Sequence, residues 1–104
     1  LHSPNGRKRV SEIAVLETVC GYFAIDKASI RGRGRDKPTA LARQVAMYLL
    51  REEAKLPLSA IGRFLGGKDH TTVLYAHQRI SDQMTLNSHL RKDVSNLREE
   101  LARL

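Results

Sequence analysis

The stretch Leu65-Gly66-Gly67-Lys68-Asp69-His70-Thr71-Thr72-Val73-Leu74-Tyr75-Ala76-His77 imposes a sharp reversal between two helices. Gly66 and Gly67 end one apolar segment, because glycine enters left-handed backbone at little steric cost. Asp69 then stands where an N-cap belongs, directly ahead of renewed helical periodicity. Upstream, Pro57 marks a break before a short helix ending near Leu65. A short helix, a glycine turn and a second helix running to about Met84 make a helix-turn-helix.

The remaining segments are helical in period too. Ser11 is placed to cap a helix through Phe23, on which Ile13, Leu16, Val19, Cys20 and Phe23 share one face. Asp26 is a suitable cap for Lys27–Ile30. Thr39 is expected to cap a long helix to about Lys55, with Leu41, Val45, Ala46, Leu49 and Leu50 facing inward. The last helix covers roughly Ser88 to Leu104, and Leu90, Val94, Leu97, Leu101 and Leu104 follow a 4-3-4-3 spacing. That seam lasts only about two heptads, so docking against the first helices is expected, with dimerisation the alternative. The 104 residues provide one modest core. Residues 10–104 are assigned to this domain. Residues 1–9, which begin at Leu1 rather than methionine, are assigned to a linker from a missing upstream domain.

Charge sets the expected partner. Of the net charge of +7, residues 81–104 contribute nothing, with four basic and four acidic groups. Residues 1–80 hold 14 basic against 7 acidic groups and so carry the whole excess. A basic pole of this kind suits a polyanion, although a charged loop such as Arg31–Lys37 can also be merely solvated. The single cysteine, Cys20, excludes an internal disulfide framework and suits a reducing compartment. On the apolar side of the first helix it reads as a packed thiol rather than a nucleophile. No apolar run reaches the length of a membrane span, and no signal peptide is visible. His70 and His77 have no further ligand at metal-site spacing, so no metal is expected. No Ser/His/Asp or Cys/His arrangement stands out, and an enzyme is not expected.

On a helical wheel of residues 69–80, Val73, Ala76 and Ile80 share the side that faces the first helix of the pair. Thr71, Tyr75 and Gln78 lie opposite, with Thr72 and Arg79 on the flank, while His77 falls close to the apolar side and reads as a packed histidine. His70 stands in the first turn, at the tip. The second helix of such a pair enters the major groove of double-stranded DNA. There a carboxylate can accept from a cytosine amino group, and a threonine methyl or imidazole edge can pack on a thymine methyl. Asp69 is an excellent cap and is expected to cap this helix through its carboxylate, with base contact as an additional role. An arginine on the glycine-hinged loop Arg31-Gly32-Arg33-Gly34-Arg35-Asp36-Lys37 is placed to enter the minor groove as a flexible arm does.

Gly66-Gly67-Lys68-Asp69-His70-Thr71-Thr72-Val73 and Arg43-Gln44-Val45-Ala46-Met47-Tyr48-Leu49 closely resemble the C-terminal DNA-binding domain of the DnaA family of bacterial replication initiators. The resemblance covers nearly everything from Val10 to Leu104. It implies an all-α fold: a compact bundle of about six helices holding a helix-turn-helix of Trp-repressor type. It also implies recognition of short asymmetric DnaA boxes at the replication origin, in a cytoplasmic protein. By residue-to-residue match, Arg35 is expected in the minor groove, and Asp69, His70 and Thr71 on major-groove base edges. Arg43, Gln44, Arg51, Lys68, Thr72, Tyr75 and Arg79 match positions near the phosphate backbone, and Leu58 and Ser59 the start of the first helix of the pair. The isolated domain is expected to be a monomer without cofactor. ATP would belong to an upstream AAA+ domain, since no Gly-Lys-Ser/Thr phosphate loop occurs here. Arg7-Lys8-Arg9 would lie at the joint with that domain, where a contact with acidic phospholipid is also implied. A transposase-like or regulatory protein of the same fold is the alternative parent, and a protein-interaction module the alternative function.

Departures from the family pattern are local. Lys68 stands where arginine is usual, which keeps the charge and loses the planar fork. Ala42 replaces a common proline, Tyr75 a frequent histidine, and Pro57-Leu58-Ser59 a frequent Ser-Leu-Pro. These raise the expectation of a changed start to the long helix and an unusual cap for the first helix of the pair.

Overall fold

The computed structural model describes residues 10–104, so the linker assignment and the Arg7-Lys8-Arg9 joint lie outside the described residues. The six helices are α1 (Glu12–Phe23), α2 (Lys27–Arg31), α3 (Lys37–Glu52), α4 (Leu58–Phe64), α5 (His70–Leu86) and α6 (Ser88–Ala102). No strand occurs among the described residues. α3 is the centre: α1, α2, α4 and α5 all pack on it, and α6 closes the bundle against α1 and α5.

The start of α1 is as expected, with Ser11 Oγ accepting the amide of Ala14 at 3.1 Å. Its buried stripe differs. Val15, Leu16 and Val19 are its buried residues, while Ile13 is 57% exposed. At 100° per residue, Ile13 stands roughly a third of a turn from the centre of that stripe. Val15, not assigned to the core in sequence, lies well inside it.

The start of α3 also corrects an expectation. Asp36, not Thr39, is the cap, and Oδ2 of Asp36 accepts both the Thr39 amide at 3.2 Å and the Thr39 hydroxyl at 2.7 Å. Pro38 fits inside the first turn, where its missing N–H has no helical partner in any case. The helix therefore begins at Lys37, ends at Glu52, and carries the fully buried Ala42 in its interior rather than near its start. Val45, Ala46, Leu49 and Leu50 are buried as expected, and Leu41 is half-buried. Met47 and Tyr48 are buried as well, so α3 is apolar around most of its circumference, as a central helix must be.

The seam of α6 is used inside the chain. Asn87 caps the helix through Leu90, and Leu90, Val94, Leu97 and Leu101 are buried. The hydroxyl of Tyr22 on α1 donates to Asp93 at 2.7 Å and accepts from Asn96 at 3.1 Å. Docking against α1 thus consumes the face that dimerisation would need. Leu104, past the helix end, is 78% exposed and takes no part.

A polar cluster joins α3, α5 and α6 beneath this core. His77 stacks on Tyr48 with ring centroids 4.9 Å apart, and its Nε2 lies 2.7 Å from Glu52 Oε2. Arg98 reaches across from α6, with Nε 2.8 Å from Glu53 Oε2 and its guanidinium 5.6 Å from the Tyr48 ring centre. His77 is thus the packed histidine expected, with one nitrogen held by a carboxylate.

The α4–α5 turn is a close backbone fit. Gly66 and Gly67 have φ of 92° and 81°. The amides of Gly67 and Lys68 both donate to the Gly62 carbonyl, at 2.9 and 2.8 Å. A Cβ on Gly62 would lie 2.0 Å from the Lys68 carbonyl oxygen, so α4 needs a residue without a side chain there.

Candidate nucleic-acid interface

The first turn of α5 leaves its side chains in solvent. Asp69, His70, Thr71 and Thr72 are all exposed, and Val73 is the first residue of the helix to turn inward. Asp69 occupies the N-cap position, but its carboxylate makes no capping hydrogen bond to a helix amide. Instead it accepts the Thr71 hydroxyl at 2.5 Å and lies 3.3 Å from His70 Nδ1. The Thr71 hydroxyl, and then His70, hold this carboxyl below the ordinary carboxylate range. It is therefore a charged acceptor at neutral pH, and the leading amides of α5 keep their capacity to meet an anion.

Further along α5, Val73, Ala76 and Ile80 are buried and the opposite side is open, as the wheel predicts. Thr71, Leu74, Tyr75, Gln78 and Arg79 line one shallow groove. Tyr75 is 63% and Leu74 46% exposed. Leu74 is not among the residues expected at the interface from sequence. Its signal was there, since 71, 74, 75 and 78 share one helix face at 3.6 residues per turn.

The basic loop meets this tip. Arg33 and Arg35 from the loop, Arg43 from α3, and Lys68, Asp69 and Thr72 from the turn and α5 line one open cleft of about 540 Å³. Arg35 and Asp69, read from distant parts of the sequence as minor-groove and major-groove groups, are thus neighbours around the same opening. Leu58, half-buried, and Ser59, exposed, begin α4 after Pro57 at the N-cap position, with no side-chain cap. Gln44 is half-buried on α3, and Arg51 donates from Nη1 to the Leu56 carbonyl at 3.0 Å.

Like Arg51, two more of the expected phosphate contacts have their charged heads turned toward the protein's own backbone. The Arg43 guanidinium donates to the carbonyls of Ile30 at 2.7 Å, Ser29 at 2.9 Å and Gly34 at 3.0 Å. The Lys68 ammonium donates to the carbonyls of Arg31 at 2.8 Å and Leu65 at 2.9 Å. Burial, and secondarily the positive charge of Arg43, push the Lys68 amine below its ordinary range. Sequence shows a cation at each position but not the direction in which it points.

Asp36 gives the interface an acid-sensitive edge. Its carboxyl is held below the ordinary range by the Thr39 hydroxyl and then the Thr39 amide. A folded-state value below the unfolded one means that this contribution is complete above pH of about 4 and is lost as pH falls through the folded value. Acidification below a pH of about 4 is expected to loosen the start of α3 and the adjoining loop. The Thr39 amide resonance should report this in the native protein, and the transition should be missing in Asp36→Asn. An identical acid transition in both proteins would remove the assignment.

Comparison with known proteins gives a consistent picture. A family model described as the bacterial DnaA protein helix-turn-helix matches residues 13–80. The chromosomal replication initiator protein DnaA of Herpetosiphon aurantiacus is 46% identical over 95 residues, which cover 91% of this chain and 20% of that protein. Its counterpart from Roseiflexus castenholzii is 44% identical over 97 residues, covering 93% and 20%. That of Latilactobacillus sakei is 40% identical over 98 residues, covering 93% and 22%. The chain spans about a fifth of the length of these relatives.

Proposed function

We propose that this chain, which belongs to the bacterial DnaA helix-turn-helix family, reads short asymmetric DnaA-box duplexes at a replication origin. Its membership makes it a non-catalytic DNA-binding domain of a replication initiator, and the proposal concerns which sequence it reads and how. Asp69, His70 and Thr71 enter the major groove and address base edges. Arg35 enters the adjacent minor groove, while Thr72, Tyr75 and Arg79 lie along the backbone. In the whole protein this domain would deliver an upstream AAA+ ATPase to such sites, and ATP would be bound there.

The observation that carries the reading is the single cleft shared by Arg35 and the Asp69 end of α5. One rigid body can then engage both grooves, and the exposed tip offers a charged acceptor, an imidazole and a threonine methyl for base edges. Phosphate contacts position such a domain, and base contacts give it sequence preference.

Fluorescence anisotropy with a DnaA-box duplex and a scrambled duplex, each titrated at several salt concentrations, tests the proposal. The box is expected to bind on the order of 10³-fold more tightly at physiological salt. Both affinities should fall as salt rises, because counterion release supplies the part that is independent of sequence. Equal affinity for the two duplexes would overturn box reading while leaving general DNA binding intact.

A further inference from the structure

Arg43 and Lys68 match positions expected near phosphates, yet their heads meet main-chain carbonyls. We infer that both are positioning residues, which lock the Arg33–Arg35 arm in register with the start of α5. The inference rests on the two-groove reading above and assigns a role that is not charge neutralisation.

The geometry is a chain of ties. Arg43 stands on α3, the central helix, and spreads one guanidinium over three carbonyls of the α2 end and the loop. Gly34, the last of these, sits between the two arginines of the arm. A guanidinium presents its donors in a fixed planar fork, so three carbonyls held at once define a loop conformation. Lys68 then joins the end of α2 to the helix-turn-helix through the carbonyls of Arg31 and Leu65. Arg31 adds a third tie, donating from Nε to the Phe64 carbonyl at 3.1 Å with its guanidinium 5.0 Å from the Phe64 ring centre. Loop and turn are in backbone contact as well. A Cβ on Gly66 would lie 2.2 Å from the Arg31 carbonyl oxygen.

The consequence is a division of labour. Arg35 supplies minor-groove chemistry, and Arg43 and Lys68 determine where Arg35 stands relative to Asp69 and His70. A phosphate contact needs only positive charge, which lysine provides. A three-carbonyl fork needs arginine.

The test uses box duplexes carrying 2,6-diaminopurine for adenine, which adds an amino group in the minor groove, or uracil for thymine, which removes a methyl from the major groove. Wild-type protein is expected to discriminate against both, and Arg35→Ala to lose only the minor-groove discrimination. Arg43→Lys is expected to behave like Arg35→Ala, with melting followed by circular dichroism to confirm the fold. On an Arg33→Ala/Arg35→Ala background, adding Arg43→Lys should change neither affinity nor salt slope. Lys68→Met, which removes the second tie, should show the same loss in weaker form and serves where the Arg43 variant fails to fold. Full minor-groove discrimination in Arg43→Lys, or in Lys68→Met, would overturn the positioning role alone. No minor-groove discrimination in the wild type would overturn the two-groove reading and the inference together.

Discussion

Gly62→Ala is expected to destabilise the fold by about 1–3 kcal/mol and to weaken specific DNA binding in the fraction that remains folded. The new methyl would meet the Lys68 carbonyl oxygen at 2.0 Å, and backbone on both sides must move to admit it. That movement opens the paired amide contacts of Gly67 and Lys68 to the Gly62 carbonyl. α5 begins immediately after them, so its entry angle changes with them. For a domain of this size each kcal/mol corresponds to about 4–8 °C in Tm, so a thermal melt resolves the effect easily. Gly21→Ala is the matched control, since its methyl meets nothing within 4 Å. It should be neutral or stabilising by up to about 1 kcal/mol, because alanine is the better helix former. Equal Tm values for Gly62→Ala and wild type would show that the turn is not the close fit described.

The second large effect is on specificity. His70→Ala and Thr71→Ala are each expected to cost about 1–3 kcal/mol in box binding and to relax preference at one or two base pairs. Both residues are exposed and neither contributes to the core, so Tm should be nearly unchanged. Affinity for scrambled duplexes should also be preserved, because the phosphate contacts remain. Removing Thr71 also releases the Asp69 carboxylate from its hydroxyl partner, so the effects of Thr71→Ala and Asp69→Asn should be non-additive. Anisotropy with systematically mutated box duplexes measures this. A uniform loss across box and scrambled DNA would reassign His70 and Thr71 to the backbone.

The α4–turn–α5 unit was legible in sequence because several independent signals coincide there. Pro57 and the paired glycines bracket α4, and Val73, Ala76 and Ile80 recur at helical spacing on one side of α5. α1 was harder. Ala14, Val15, Leu16, Val19, Cys20 and Phe23 are apolar around much of its circumference. The stripe can then be drawn through Ile13 as readily as through Val15, and only tertiary packing chooses. Thr39 was read as a cap because threonine caps well, but Asp36 caps better and stands three residues before it, ahead of a proline suited to the first turn. The side-chain cap expected of Asp69 fails for the opposite reason: its carboxylate accepts the hydroxyl of Thr71, two residues on, and makes no capping bond to a helix amide. Arg43 and Lys68 lie beyond such reasoning altogether. Their partners are main-chain carbonyls, and every residue carries one, so sequence cannot indicate which will be near.

The His77–Glu52–Arg98 cluster also bears on how accurately the tip can be aimed. His77 follows His70 by seven residues, so at 1.5 Å rise per residue the anchorage lies about 10 Å behind the tip. Val73, buried one turn behind the tip, and His77 with its partners hold α5 at successive points along its length. If base contacts tolerate about 0.5 Å of displacement, the helix axis must not tilt by more than about 3°. A stacked ring and a carboxylate on α3, with an arginine from α6 bearing on the same group, oppose tilt from two sides. Aim at one end of α5 is thus a mechanical property of side chains that never reach the groove.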